Sequence, residues 1–267
     1  MQITRALSEH PELFLQEGAR RNLLWFAEYM DPNFQPTPFH KAYYRVLDMF
    51  AKRLIKKLII QAPPQHGKSQ GSSRFLPSDM LGHFPDLKIC ICSYAATIAK
   101  DFNRDVQRLI DSDKYRAIFP DTQLNGSNVV TVANNYLRNS DVFEIVNHTG
   151  SLRVVGRGGS LTSKTVDVMI YDDLYKDSAE ANSPIIRTAA WEWFTKVAQT
   201  RLHNDSQQLV VFTRWNPDDI IGKIIESEKV IFVEKWSDLD NIPAGAWVLV
   251  NFEAIKTGEP TEIDNRE

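Results

Sequence analysis

Excess positive charge is the first thing this chain lacks: 31 Lys and Arg stand against 34 Asp and Glu, a formal net charge of −3. A chain that coats nucleic acid electrostatically needs a basic surplus, so any such contact here must be local or shared among subunits. Cysteine is scarce too. Cys90 and Cys92 sit at i and i+2 in an apolar run, which puts both on one buried strand face. They lack the partners of a zinc site, and their thiols fit a reducing cytoplasm. No apolar stretch reaches the roughly 20 residues that a membrane span requires, and no signal peptide opens the chain. Internal repeats and low-complexity segments are missing as well. The 267 residues suit one large domain, or a domain with a lobe, and suffice for a sizeable core.

What is present is organised around Lys57-Leu58-Ile59-Ile60-Gln61-Ala62-Pro63-Pro64-Gln65-His66-Gly67-Lys68-Ser69. The Ile-rich opening reads as a buried strand. Gly-Lys-Ser is the second half of a phosphate-binding loop, G-x-x-x-x-G-K-[ST]. In such a loop backbone N–H groups wrap an anion, and the N-terminus of the next helix adds partial positive charge. Lys68 can reach the β- and γ-phosphates and the Ser69 hydroxyl can bind Mg²⁺. Ala62 stands where the pattern wants its first Gly. Pro63 and Pro64 stiffen the loop by fixing φ.

Around this stretch the chain alternates between strand and helix patterns. Helices are expected over 11–30, with Ser8 or His10 preceding it, and from Pro38 to about residue 50, with Thr37 as N-cap. The basic run Lys52, Arg53, Lys56, Lys57 reads as a solvated helix end or a DNA contact. A loop helix over 69–81 must kink or end at Pro77. Next come a strand over 88–93 and an amphipathic helix over 95–110. Residues 120–141 read as a polar excursion with weak strands. Residues 142–146 and 152–155 form a hairpin around Asn147-His148-Thr149-Gly150. After a flexible basic loop, 156–164, the strand 166–171 ends in Asp172-Asp173. Beside a P-loop, Asp172 would hold Mg²⁺, directly or through water, and Asp173 would orient or deprotonate the attacking water. Alone, the pair would more simply be a cap or a surface turn. A helix over 179–201 carries Trp191, Trp193 and Phe194, which suit core packing. A strand over 208–212 ends in Thr213-Arg214-Trp215-Asn216-Pro217-Asp218-Asp219, a polar tip where open α/β sheets bind ligands. A helix begins at Pro217, and strands over 230–234 and 247–251 precede a polar tail. Strand followed by helix, repeatedly, is the pattern of an α/β fold with a mostly parallel sheet covered on both faces.

With these motifs in this order, the chain resembles the ATPase part of phage terminase large subunits, the motors that package DNA. Phe34-Gln35-Pro36 with Phe39-His40 resembles the family's adenine-side entry, with Gln35 or His40 as the base contact. Pro63-Pro64-Gln65-His66-Gly67-Lys68-Ser69 resembles its P-loop. Gly158-Gly159-Ser160-Leu161-Thr162, Asp167 and Asp172-Asp173 resemble its Walker B approach, and residues 213–219 its coupling motif. The fold implied is a P-loop NTPase of the additional-strand type. Residues 1–55 would form N-terminal helices and the adenine side, 56–252 the core with a small lid lobe, and 253–267 a linker. Thr261-Glu262-Ile263-Asp264-Asn265-Arg266-Glu267 resembles the acidic linker before the family's nuclease domain, so the chain is expected to be the ATPase domain alone.

The cofactors implied are ATP and Mg²⁺. Ser69 and Asp172 would serve the metal. Pro64, Gln65, His66, Gly67, Lys68, Ser69 and Thr213 would contact the nucleotide, and Asp173 and Lys68 would act in catalysis. Gln65 stands where the family often has Arg, and Asp173 is one methylene shorter than the frequent Glu. Family members also lend an arginine to the neighbouring subunit's phosphates: Arg157 is the first candidate, with Arg74, Arg214 and Lys164 behind it. The partners implied are double-stranded DNA, a portal protein, a small terminase subunit and further copies in a ring, the isolated domain being monomeric. The place implied is the host cytoplasm, transiently on the procapsid portal. A helicase-like ATPase shares the P-loop and acidic pair but needs a second motor domain. A nucleotide-gated assembly module would need no strong general base.

Overall fold

The computed structural model describes residues 11–126, 136–161, 165–253 and 260–264. The apolar runs become strands β1 (Lys57–Gln61), β2 (Lys88–Ser93), β3 (Val142–Glu144), β4 (Ser151–Gly156), β5 (Val166–Asp172), β6 (Leu202–Phe212), β7 (Val230–Phe232) and β8 (Trp247–Asn251). They form one sheet in the order β3-β4-β2-β5-β6-β1-β8-β7. Each pairing is parallel except β3 with β4, the expected hairpin. β6 lies between the P-loop strand β1 and the acid-tipped strand β5, which is the additional-strand arrangement. At ~4.8 Å per strand, β1 and β5 stand about 10 Å apart. That gap leaves room for a phosphate chain between the loop and the acids.

Alternation along each strand sends side chains to two cores. Leu58, Ile60, Ile89, Ile91, Val168, Ile170 and Val211 face one layer of helices. Ile59, Cys90, Cys92, Met169, Tyr171 and Val210 face the other. The first layer holds α1 (Pro11–Arg21), α2 (Leu23–Met30), α3 (Pro38–Ala51), α4 (68–83, after the P-loop), α5 (Ala96–Asp111) and α6 (Asp113–Ile118). The second holds α7 (Ser178–Asn182), α8 (Pro184–Trp193) and α9 (Ile220–Ser227). Ala19, Leu23, Phe26 and Phe50 share the first core with the strands, so the described N-terminal helices are built onto the sheet.

Several elements differ from the periodicity reading. The expected 11–30 helix breaks at Asn22, whose side chain caps α2 by accepting from the N–H groups of Leu24 and Trp25. The two expected residues before α1, Ser8 and His10, lie outside the described residues. Pro77 does not end α4. That helix runs α-helically over Lys68–Gln70, widens to a π turn over Gly71–Phe75 and resumes over Leu76–His83. A π turn shifts the hydrogen-bond register, so the proline's missing N–H costs less. The 179–201 segment breaks at Ser183-Pro184, where Ser183 caps α8. β6 begins six residues earlier than expected, because polar residues at its start hid the strand. The basic run 52–57 is paired within the chain: Lys52 with Asp48, Lys56 with Asp205, Lys57 with Glu228, and Arg53 on the Asp205 carbonyl.

One buried carboxyl group predicts a pH effect. Asp79 on α4 is 4% exposed and sits beside Asp48 of α3. Asp48 itself accepts from the Leu23 N–H at 2.9 Å and pairs with Lys52 at 2.6 Å. His83 Nε2 lies 3.6 Å from Asp79 Oδ1, and Arg20 and Lys52 line the same small cavity. Burial, and secondarily the Asp48 charge, push the Asp79 carboxyl well above the usual range, against the pull of Lys52. The folded chain therefore keeps a proton that the unfolded chain releases at the ordinary value, so this group's contribution to stability falls as pH rises through that window. Asp79→Asn should flatten that fall and be more stable than the parent at pH 8, by on the order of 1 kcal/mol. Urea unfolding of both proteins at pH 5 and pH 8 checks this. An equal parent–variant difference at the two pH values would contradict it.

Candidate active site

The P-loop leaves β1 at Gln61 and continues the pairing for one step, with the Ala62 N–H donating to the Phe212 carbonyl at 3.1 Å. Ala62 is buried and is not among the residues with positive φ. The glycine expected there is therefore not required. The left-handed positions are Gln65 (φ 61°) and Gly67 (φ 70°), and they curl the loop so that successive N–H groups turn inward. A Cβ on Gly67 would also come within 3.3 Å of His40 Nε2. Lys68 opens α4, and its carbonyl is pinned by Tyr43 Oη at 2.7 Å and Ser72 Oγ at 2.9 Å. Pro64 and Gln65 are exposed, and the His66 ring is held by the Pro64 carbonyl.

The two acids at the tip of β5 have different environments. Asp172 is 1% exposed and accepts from Ser69 Oγ at 2.9 Å and from Ser73 Oγ, with Ser72 Oγ at 3.4 Å. Burial and the neighbouring Asp173 push its carboxyl up to about 6, against the serine hydroxyls and Lys68. Asp173 takes a left-handed backbone (φ 42°), held by its N–H on the Val211 carbonyl and its own carbonyl on the Tyr94 N–H. That turn points its carboxylate across β6. There Oδ1 accepts from the Thr213 N–H at 2.9 Å, and Oδ2 lies 2.7 Å from Lys68 Nζ. Lys68 Nζ also donates to Thr213 Oγ1 at 2.8 Å, and that hydroxyl donates to the Ala62 carbonyl at 3.2 Å. Lys68, Ser69, Asp172, Asp173 and Thr213 thus converge from three strand ends. Ser72, Ser73 and Tyr43 were missed. The spacing of Ser69, Ser72 and Ser73, i to i+3 and i+4 on one helix, was the available signal for the serines.

The 34–40 segment reaches the same edge. Thr37 N–H donates to His40 Nδ1 at 3.2 Å, which leaves Nε2 to carry the proton of the neutral ring and turn it toward Gly67. Burial, and then the neighbouring His66, lower the His40 pKa. The Phe34 ring packs edge-on against His40 at 5.1 Å, while Gln35 is exposed.

A family model described as terminase large subunit, T4likevirus-type, N-terminal, matches residues 59–266. The chain belongs to this terminase family. Among solved structures it is similar to a mutant of the large terminase ATPase domain of Thermus phage P74-26, with a TM-score of 0.51 and 14% identity over 82% of each chain. It is also similar to the HK97 bacteriophage large terminase, with a TM-score of 0.46 and 13% identity, covering 85% of this chain and 42% of that one. A DEAD box protein from Methanococcus jannaschii follows at 0.46 and 11%, over 85% of this chain and 52% of that one. At such identities the likeness to the Thermus phage domain shows a shared fold. No curated protein sequence matches the chain.

The terminase-like tip 213–219 is rigidly built. Asp219, 1% exposed, caps α9 by accepting from the Gly222 N–H at 3.0 Å, and burial raises its carboxyl. Arg214 Nε lies 2.9 Å from Asp219 Oδ2 but is not aligned for a hydrogen bond, and its Nη2 donates to the Pro217 carbonyl at 3.0 Å. A Cβ on Gly222 would meet the Pro217 carbonyl at 1.8 Å, which explains the glycine. The arginines expected to act between subunits are each engaged in their own chain. Arg74 pairs with Asp105 at 2.7 Å. Arg157 Nη1 donates to the Leu174 carbonyl at 2.6 Å and to Glu180 Oε2 at 2.9 Å, beside the acids rather than among them. Lys164 and Thr162 lie outside the described residues.

Proposed function

We propose that this chain hydrolyses ATP and uses the energy to move double-stranded DNA into a procapsid, in a ring seated on a portal. The observation that carries this reading is the closed set Lys68–Asp173–Thr213 at the carboxyl ends of β1, β5 and β6. Lys68 holds the Asp173 carboxylate, and a γ-phosphate would compete for the same ammonium. The exchange frees Asp173 Oδ2 to accept a proton from the attacking water, while Oδ1 stays oriented by the Thr213 N–H. Ser69 and Asp172 are hard oxygen donors that fit Mg²⁺, and a carboxyl pushed up by burial gains strongly from a nearby cation. Mg²⁺ is commonly held by one or two carboxylates, with substrate phosphates and water completing its shell. Mg²⁺ held there would neutralise charge on the transferring phosphoryl group.

The base is assigned to the edge where the 34–40 segment meets the P-loop, with Gln35 or His40 reading it. Substituting both residues should erode the preference for ATP over GTP in a competition binding assay. An unchanged preference would remove the assignment.

Arg157 is proposed to serve the neighbouring subunit. Leaving Glu180 forfeits a charge-assisted bond worth about 1.5–3 kcal/mol, and leaving the Leu174 carbonyl about 1 kcal/mol more. A trans arginine worth 10³–10⁵ in rate corresponds to about 4–7 kcal/mol, so interface closure can support the exchange. Mixing Arg157→Ala subunits with Asp173→Asn subunits tests both the ring and the arginine, because a mixed interface pairs an intact acid with an intact arginine. Hydrolysis should recover in the mixture. No recovery in demonstrably mixed rings would exclude Arg157 and leave Arg74 and Arg214 to be tried.

A further inference from the structure

A second cavity lies at the opposite end of the sheet from the nucleotide site. It encloses about 380 Å³ against the amino-terminal halves of β2 and β4, with the start of β5 and the segment Ser160-Leu161 at its border. Five residue steps along β2 lead from Lys88, in this cavity, to Ser93, which pairs with Asp172. At ~3.3 Å per residue the two sites are roughly 17 Å apart.

Strand register brings the cationic groups together. Lys88 lies opposite Ser151, and Cys90 opposite Arg153, so Lys88 and Arg153 share one face of neighbouring parallel strands. Both are half-buried and both line the cavity. Neither side chain has a hydrogen bond or ion pair within the described residues, whereas the half-buried Arg74, Arg157, Arg187 and Arg214 each face a carboxylate. Two carboxylates stand near, each with hydrogen-bond partners of its own. Glu144 Oε2, in the cavity wall, accepts from the Leu137 N–H at 3.0 Å. Asp167 bonds the Lys88 backbone N–H at 2.7 Å and His203 Nε2 at 2.8 Å. Ser151, Ser160 and Thr165 also line the cavity. A half-buried guanidinium with unmet N–H groups is costly unless an anion or water meets it.

We propose that this cavity is a binding site for a phosphate-class anion, with Arg153 and Lys88 as its charged contacts. The planar fork of Arg153 suits two oxygens of one phosphoryl group, and Lys88 adds a point charge. The anion can come from a nucleic-acid backbone or from free phosphate, and the test separates them. The whole chain carrying Lys68→Ala, to weaken the P-loop, is labelled with ¹⁵N and titrated with inorganic phosphate and then with a short DNA duplex. Amide signals of residues 88 and 151–153 should shift saturably with phosphate. Arg153→Gln and Lys88→Gln should each weaken that binding at least tenfold, with a well-dispersed spectrum showing that each variant folds. Duplex that moves the same amides and displaces phosphate assigns the site to a nucleic-acid backbone, with a salt slope smaller by about 0.9 in the Arg153→Gln variant. Phosphate binding without duplex binding assigns it to a free phosphate group. Amides that move with neither ligand, or shifts that survive both substitutions, would overturn the proposal.

Discussion

Lys68→Ala is expected to reduce ATP hydrolysis by at least about 10²–10³-fold, the scale of losing one preorganised charge at a reacting centre. Two losses combine. The variant cannot place an ammonium on the β- and γ-phosphates, and it leaves Asp172 and Asp173 side by side without the cation now 2.7 Å from Asp173. Lys68 is 7% exposed, so water does little to replace that charge. The nucleotide-free variant should therefore also be less stable than the parent, with ATP and Mg²⁺ restoring less of the difference than in the parent. Phosphate release and a melting curve measure both effects. Near-normal turnover would remove the P-loop assignment altogether.

Asp173→Asn separates binding from chemistry. Asparagine keeps an oxygen for the Thr213 N–H but cannot hold Lys68 in an ion pair or accept a proton from water. Hydrolysis should fall by about 10²–10⁴-fold, the range of general-base help. Nucleotide should bind no more weakly than in the parent, and up to a few-fold more tightly, because Lys68 no longer exchanges partners on binding. The gain stays small because the Asp173 side chain is 29% exposed and the pair is partly screened. Stopped-flow binding of a fluorescent ATP analogue, followed by single-turnover hydrolysis, resolves the two steps. Collapse of affinity with normal turnover of bound ATP would make Asp173 a metal ligand.

Much of this site was legible because its parts obey local rules. A strand running into Gly67-Lys68-Ser69 and a second ending in Asp172-Asp173 carry their own spacing and composition. The sheet order that joins them does not. That β6 lies between them follows from pairing over the whole sheet, which period-2 alternation alone cannot order. Asn22, Pro77 and Ser183 misled the helix boundaries for one reason: each changes a local capping or hydrogen-bond choice that hydrophobic periodicity does not record. The engaged state of Arg157 was hidden similarly. A glycine loop in sequence suggests freedom, yet Glu180, more than twenty residues downstream, holds the guanidinium. Ala62 shows the converse: the motif wanted glycine, and the backbone there does not need it.

The most direct test of the motor reading is packaging itself. The protein would be combined with procapsids, portal, double-stranded DNA, ATP and Mg²⁺, and nuclease-resistant DNA inside the procapsids would be measured. The account predicts protected DNA that accumulates with ATP hydrolysed in the parent and none above background in Asp173→Asn, although that variant still binds nucleotide. Protection by Asp173→Asn at the parent's rate would contradict it.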